Sequence, residues 1–139
     1  MVRKPSYALS LKQPWAALLV SGHKSIEVRK WATRIRGPVF IHAARISDDR
    51  SEVWAKVPEA VRPLAELVGG IIGRAELASC IRYRTQFGFA ADSAKHLNAP
   101  SWFELPEMYG FMFRGGKAVP FFPCKGNVRF FTVNIPEGT

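Results

Sequence analysis

The pattern of apolar and polar positions changes period several times along the first third of the chain. Residues 7–11 (YALSL) read as a strand. Residues 14–21 (PWAALLVS) are nearly all apolar and read as a short helix; Pro14 suits its first turn and Gly22 the left-handed position just past its end. From Ser25 to Trp31 the residues alternate. Ile26, Val28 and Lys30 fall on one side, and Ser25, Glu27, Arg29 and Trp31 on the other. The second strand therefore presents an acid, a base and an indole on one face, with Lys24 at the corner just before it, expected as a surface residue whose cationic arm reaches over that face.

Residues 34–38 read as a turn. Residues 39–43 (VFIHA) form a third strand, apolar enough to be buried on both faces. Ser47, Asp48 and Asp49 signal a helix start, and Trp54, Val57, Val61, Leu64 and Val68 follow at helical spacing, broken into short pieces by Pro58 and Pro63. Residues 70–82 read as one long strand with Ile72, Arg74, Glu76, Ala78 and Cys80 on one side, and Gly73 marks a bulge or barrel corner. A short helix is expected within residues 85–98 and a loop at 101–106. Residues 109–113 read as a strand, 114–117 (RGGK) as a hairpin turn, and 119–122 and 128–135 as the last two strands. About six short strands with a few short helices predict an α+β, mainly β fold: a small barrel or strongly curled sheet, in one domain of residues 1–139 with its core at about 7–135. The first helix is expected to pack across one barrel opening.

Charge sharpens this picture. The formal net charge is +9, and residues 1–50 carry ten Lys or Arg against three Asp or Glu. Lys24, Arg29, Lys30, Arg34 and Arg36 crowd into thirteen positions with one acid, Glu27. A field of this kind attracts nucleic acid or a phosphorylated small molecule. Cys80 and Cys124 make neither a disulfide framework nor a metal site, and no Cys-x-x-Cys or His-x-x-x-His spacing occurs. We expect unbridged thiols, no metal, no cofactor, no membrane span, and a monomer in the cytoplasm.

The series Leu9-Ser10-Leu11-Lys12-Gln13-Pro14-Trp15, then Gly22-x-Lys24-x-x-Glu27-x-Arg29-x-Trp31, Arg36-Gly37-Pro38 and Ile41-His42-Ala43, resembles the ASCH domain of the PUA-like superfamily. Gly70-Ile71-Ile72-Gly73 with Ala75-Glu76 is similar to that family's central strand, and Pro123-x-Lys125-Gly126 to its C-terminal end. The resemblance covers residues 7–135. It implies a PUA-like β-barrel with a cleft beside the first helix and RNA or a modified nucleoside as ligand. It also brings in two enzymatic branches, an amidohydrolase acting on N4-acylated cytidine and a ribonuclease. In the amidohydrolase branch a lysine at the Lys24 position works with a threonine where this chain has Glu27, so that mechanism does not carry over residue by residue.

Three readings stay open. In the first, the chain binds RNA, single-stranded nucleic acid or a nucleoside: Lys24, Arg29, Lys30, Arg34 and Arg36 meet phosphates, Trp15 or Trp31 stacks a base, and Glu27 accepts from an exocyclic amino group. Ser25, His42 and Lys125 complete the candidate ligand-binding set, with His42 read also as a satisfied core or rim histidine. In the second, the chain is a small hydrolase with Lys24 and Glu27 as catalytic residues. A lysine base needs a lowered pKa and a neighbouring carboxylate raises it, so Glu27 as general base with Lys24 stabilising an oxyanion is the other assignment. In the third, it is a protein-interaction module of a transcription or RNA-processing assembly.

Overall fold

Six strands, β1 (Ser6–Leu11), β2 (Ile26–Arg29), β3 (Gly37–Ala43), β4 (Gly70–Tyr83), β5 (Met108–Pro123) and β6 (Phe131–Val133), form one sheet in the order β2-β5-β4-β3-β1-β6. The computed structural model describes residues 5–136, so residues 1–4 and 137–139 of the expected domain lie outside the described residues. β1 and β3 run parallel, from Tyr7 opposite Val39 to Leu11 opposite Ala43, and the other pairs are antiparallel. The expected mainly β fold is present as a curled half-barrel with short helices.

Alternation along β1 and β3 builds two apolar layers. Leu9, Leu11, Val39, Ile41 and Ala43 join Ile72, Leu77, Phe111 and Phe113 on one face, and Ala8 and Phe40 join Ile71 and Ile135 on the other. The first layer is covered by helix α1 (Trp15–Val20), whose six residues are all buried. The helix packs against β1, β3, β4 and β5 and against the short helix α3 (Arg62–Ala65), so it fills the curl. Gln13 fixes its start. Its side-chain oxygen accepts from the Ala17 amide, and its Nε2 donates to the carbonyls of Leu64 and Leu67. Gly22 ends it with φ +85°.

The two ends of the sheet meet through side chains. Trp31, just past β2, lies edge-on to Phe130, just before β6, with centroids 5.7 Å apart, and both rings contact Phe111 of β5. The Leu11 carbonyl faces β3, where it accepts from the Ala44 amide. By strand alternation the Ser10 carbonyl faces the opposite edge, beyond the reach of β6, which pairs only with Ser6, Tyr7 and Ala8. Arg29 of β2 donates to that carbonyl at 2.7 Å.

Several expectations need correction. Residues 114–117 are not a hairpin turn: β5 runs through them without a break, and one extra residue forms a bulge between Arg114, opposite Glu76, and Lys117, opposite Arg74. The final strand is confined to Phe131–Val133. Three register shifts interrupt the alternation expected along β4, including one at Gly73. Residues 47–68 hold only α2 (Ser51–Trp54), a 3₁₀ turn (Glu59–Val61) and α3, as the prolines require. Residues 85–98 form two short helices, α4 (Gln86–Ala91) and α5 (Ser93–His96). Cys80 and Cys124 are free thiols, as expected. Among the described residues no helix is long and apolar enough to cross a membrane.

The bulge brings the backbone of β5 against the end of α1. A Cβ at Gly116 would lie 2.5 Å from the Val20 carbonyl oxygen and 2.7 Å from that of Leu19. Gly116→Ala should therefore destabilise the protein by about 1–3 kcal/mol, the usual cost of overpacking. Urea denaturation measures this, and an unchanged midpoint would mean that α1 does not seat on β5 as described.

Candidate functional site

Lys24 leaves the corner between α1 and β2 and turns inward. It is 2% exposed, one of the largest fully buried side chains in the protein, and not the surface residue its charge led us to expect. The reason is that partners await it: its Nζ donates to the His96 carbonyl at 2.9 Å and lies 3.4 Å from the Glu27 carboxylate. The indole of Trp15 lies beside it, 4.7 Å from ring centroid to Nζ. Burial pushes the Lys24 ammonium down from the usual lysine range and outweighs the upward pull of Glu27, with Arg29 adding to the lowering.

The His96 carbonyl is aimed by an unusual piece of backbone. Leu97 closes α5 with φ +62°, a conformation that β-carbon sterics disfavour. His96 is fully buried and stacks on Phe89. Its Nε2 donates to the Phe89 carbonyl and its Nδ1 accepts from the Asn98 amide, while burial pushes its pKa down. Asn98 Nδ2 also donates to the His96 carbonyl.

Glu27 and Arg29 share a face of β2, as the alternation required. Arg29 Nε donates to Glu27 at 3.0 Å while its other arm holds the Ser10 carbonyl. Glu27 keeps 13% of its side chain exposed, toward a pocket of about 130 Å³ lined by Trp15, Lys24, Glu27, Val28, Arg50 and Asn98.

Arg50 and Asn98 escaped the reading of the sequence, as did Asp48. The buried Asp48 carboxylate accepts from Trp15 Nε1 at 2.9 Å and from Arg50 at 2.6 Å, and its carbonyl accepts from Trp54 Nε1. Arg50 in turn lies over the Trp102 ring at 4.0 Å. One signal was available: Asp48 is among only three acids in the first fifty residues, and acids that scarce in a basic segment find partners.

The other candidates lie apart from this pocket. Ser25 borders a different cavity with Leu19, Phe113 and Gly115, which Lys24 also lines from its other side. Trp31 is engaged by Phe111, Phe130 and the guanidinium of Arg129. Arg36 is exposed and donates to its own neighbours, the carbonyls of Thr33 and Ile35. Lys30 pairs with Glu104. His42 and Lys125 stand together, on a separate cleft. Among the described residues no group of three or more His, Cys, Asp or Glu side chains is placed to hold a metal ion.

The ASCH domain, as its family model describes it, matches residues 9–115 of the chain. A search of curated proteins finds no significant match. Among solved structures the chain is similar to an ASCH protein from Zymomonas mobilis, with a TM-score of 0.67 at 14% identity over 93% of this chain and 87% of that one. Mutant forms of the Zymomonas mobilis protein superpose comparably. A tyrosine-to-phenylalanine form gives 0.67 at 14% identity over 94% and 91% of the two chains, and a serine-to-alanine form 0.63 at 16% over 96% and 92%.

Two stability measurements test the site. Lys24→Ala should cost about 3–5 kcal/mol, since it breaks a buried ion pair and opens a cavity. Asp48 carries the pH dependence. Hydrogen bonds from Arg50, foremost, and from Trp15 hold its carboxyl well below the usual range despite burial. A carboxyl depressed on folding stabilises fully above its unfolded pKa of about 3.9, and this stabilisation is lost as the pH falls below that value. Thermal melts between pH 7 and pH 2 should fall more steeply for the wild type than for Asp48→Asn, and parallel curves would remove Asp48 from this role.

Proposed function

The chain belongs to the ASCH domain family, and from that premise we propose that it binds RNA or a nucleoside, with one base edge read in the pocket beside Glu27. One observation carries this reading: a carboxylate is fixed between two cations at the mouth of that pocket. Phosphates would be met by cations alone, and a carboxylate among them repels. A carboxylate held in place is suited to an exocyclic amino group, which donates. Asn98 adds a second acceptor, because Nδ2 is committed to His96 and Oδ1 has no partner among the described residues. Arg50 adds a donor on the same lining. A volume of about 130 Å³ falls below the ~300–1,000 Å³ of sites for drug-sized ligands, so one ring or one functional group enters while sugar and phosphate stay outside.

A second reading, a hydrolase acting on an acylated nucleoside or on RNA, has its own support in the downward shift of Lys24. A buried lysine of lowered pKa reaches its neutral, basic form more easily. Glu27, 3.4 Å away, then serves to orient a water or take its proton.

Glu27→Gln separates these readings. It keeps the shape of the side chain and removes its charge. On single-stranded homopolymers it should relax base preference by about 1–3 kcal/mol, the worth of a good base-edge contact, and leave the salt dependence unchanged. Equal discrimination by wild type and variant would dismiss the recognition role of Glu27. Release of an acyl group from N4-acylcytidine, or RNA cleavage, that disappears in Glu27→Gln while the variant remains folded would establish the second reading.

A further inference from the structure

The protein has a second cleft, larger than the one beside Glu27. It measures about 800 Å³ and lies where the ends of β1 and β3 meet the segment after β5, with Ser10, His42, Arg45, Cys124, Lys125 and Asn127 among its lining. That volume falls within the ~300–1,000 Å³ range of small-molecule sites. Its lining contains two cations, Arg45 and Lys125, and no carboxylate. Both are exposed, and neither has an ion-pair or hydrogen-bond partner among the described residues. Lys24, Arg29, Lys30, Arg50, Arg82 and Arg114, by contrast, each pair with a carboxylate.

The floor of this cleft is fixed. His42 is 2% exposed, and its Nε2 lies 2.8 Å from the Cys124 carbonyl oxygen. A carbonyl only accepts, so Nε2 carries the proton, and in the neutral ring Nδ1 accepts from the Ser10 hydroxyl at 2.8 Å. Gly126 packs closely against the ring: a Cβ there would come within 2.6 Å of His42 Cε1. The segment bearing Lys125 is thus held against the sheet before any ligand arrives. Ser10 also connects the two sites. Its carbonyl holds Arg29, the partner of Glu27, and its hydroxyl belongs to the floor of this cleft.

We propose that this cleft is a second subsite that takes a nucleotide, with the phosphate between Arg45 and Lys125 and the sugar or base against Pro123 and Val128. The identity of the ligand as a nucleotide rests on the reading given under Proposed function; the anionic character of its bound group rests on the cleft alone. Free cations on a preorganised floor form charge-assisted bonds to phosphate oxygens, and the arginine can do so with two parallel donors. The nucleotide can come free or as part of an RNA strand that also reaches Glu27.

Amide chemical-shift titrations of the full chain with adenosine 5′-monophosphate, adenosine and an eight-nucleotide single-stranded RNA test the proposal. The variants are Glu27→Gln and the double substitution Arg45→Ala, Lys125→Ala, which changes only exposed side chains and is checked by melting. Adenosine monophosphate should shift the amides of Arg45, Lys125 and Gly126, and adenosine should not. The double variant should weaken binding of the monophosphate about tenfold or more. It should lower the slope of log affinity against log salt for RNA by about 0.7, the contribution of the one phosphate the two cations hold. A response to the monophosphate alone assigns the cleft to a free nucleotide, and a changed RNA slope assigns it to a strand. The proposal is overturned if neither probe shifts an amide of the cleft, or if the double variant binds both as the wild type does. Unchanged base preference in Glu27→Gln beside a responsive cleft would instead end the reading at Glu27 and leave the second subsite standing.

Discussion

A buried ammonium has to be answered, and much of this molecule is arranged around the answer to Lys24. Transfer of an unpaired charge into the interior costs several kcal/mol even after relaxation. The first part of the compensation is Glu27, which strand alternation turns toward Lys24 from the start of β2. The second is the His96 carbonyl, aimed by the left-handed backbone at Leu97, a conformation that costs about 1–2 kcal/mol for a residue with a β-carbon. A strained residue supporting a buried charge beside an open pocket is a concentration of cost at one place, a pattern associated with function. The aromatic stack of His96 on Phe89 and its bond to the Phe89 carbonyl keep that segment from relaxing.

Arg29 links this electrostatic problem to the architecture. A sheet in the order β2-β5-β4-β3-β1-β6 has two ends, and backbone pairing does not join β2 to β1 or β6. Arg29 spans the gap, with Glu27 at one arm and the Ser10 carbonyl at the other. Trp31, Phe111 and Phe130 add an apolar seam beside it. The guanidinium suits this task because its planar fork serves two acceptors in fixed directions, which a lysine ammonium on its flexible stem does not. The acid that faces the pocket and the base that closes the curl are therefore one unit, and neither can be altered without the other feeling it.

The short-range parts of this arrangement were legible in the sequence. Period-two alternation placed Glu27 and Arg29 together, Gly22 marked the turn before them, and the prolines after Asp48 predicted broken helices. What stayed hidden depends on distant contacts. Lys24 read as a surface arm because nothing local reveals that the carbonyl of residue 96 lies over it. Arg114-Gly115-Gly116-Lys117 carries the composition of a hairpin turn, yet the strand continues through it: Gly116 lets β5 approach α1, and Gly115 takes the left-handed backbone of the bulge at φ +66°. Asp48 read as a helix-start signal, and its real partners are Trp15, Arg50 and Trp54. His42 and Lys125 were grouped with Lys24 by chemistry alone, and the sheet places them on a separate cleft.

In the proposed reading, that separation gives the positive charge of the chain two roles. Around Glu27 the cations are spent on one carboxylate, and what that corner offers a ligand is direction: an acceptor fixed in place, an amide oxygen and one guanidinium on a pocket the size of a ring. Such a site discriminates, because a wrong edge leaves buried polar groups unpaired. Around His42 the cations have no internal partner, and what that cleft offers is unspent charge over a rigid apolar and polar floor. Such a site contributes affinity that any phosphate can draw upon, and it weakens with salt. Positioning by phosphate contacts and specification by base contacts are distinct tasks in nucleic-acid recognition. A curled sheet that keeps them apart, with Ser10 in contact with both, can change one without rebuilding the other.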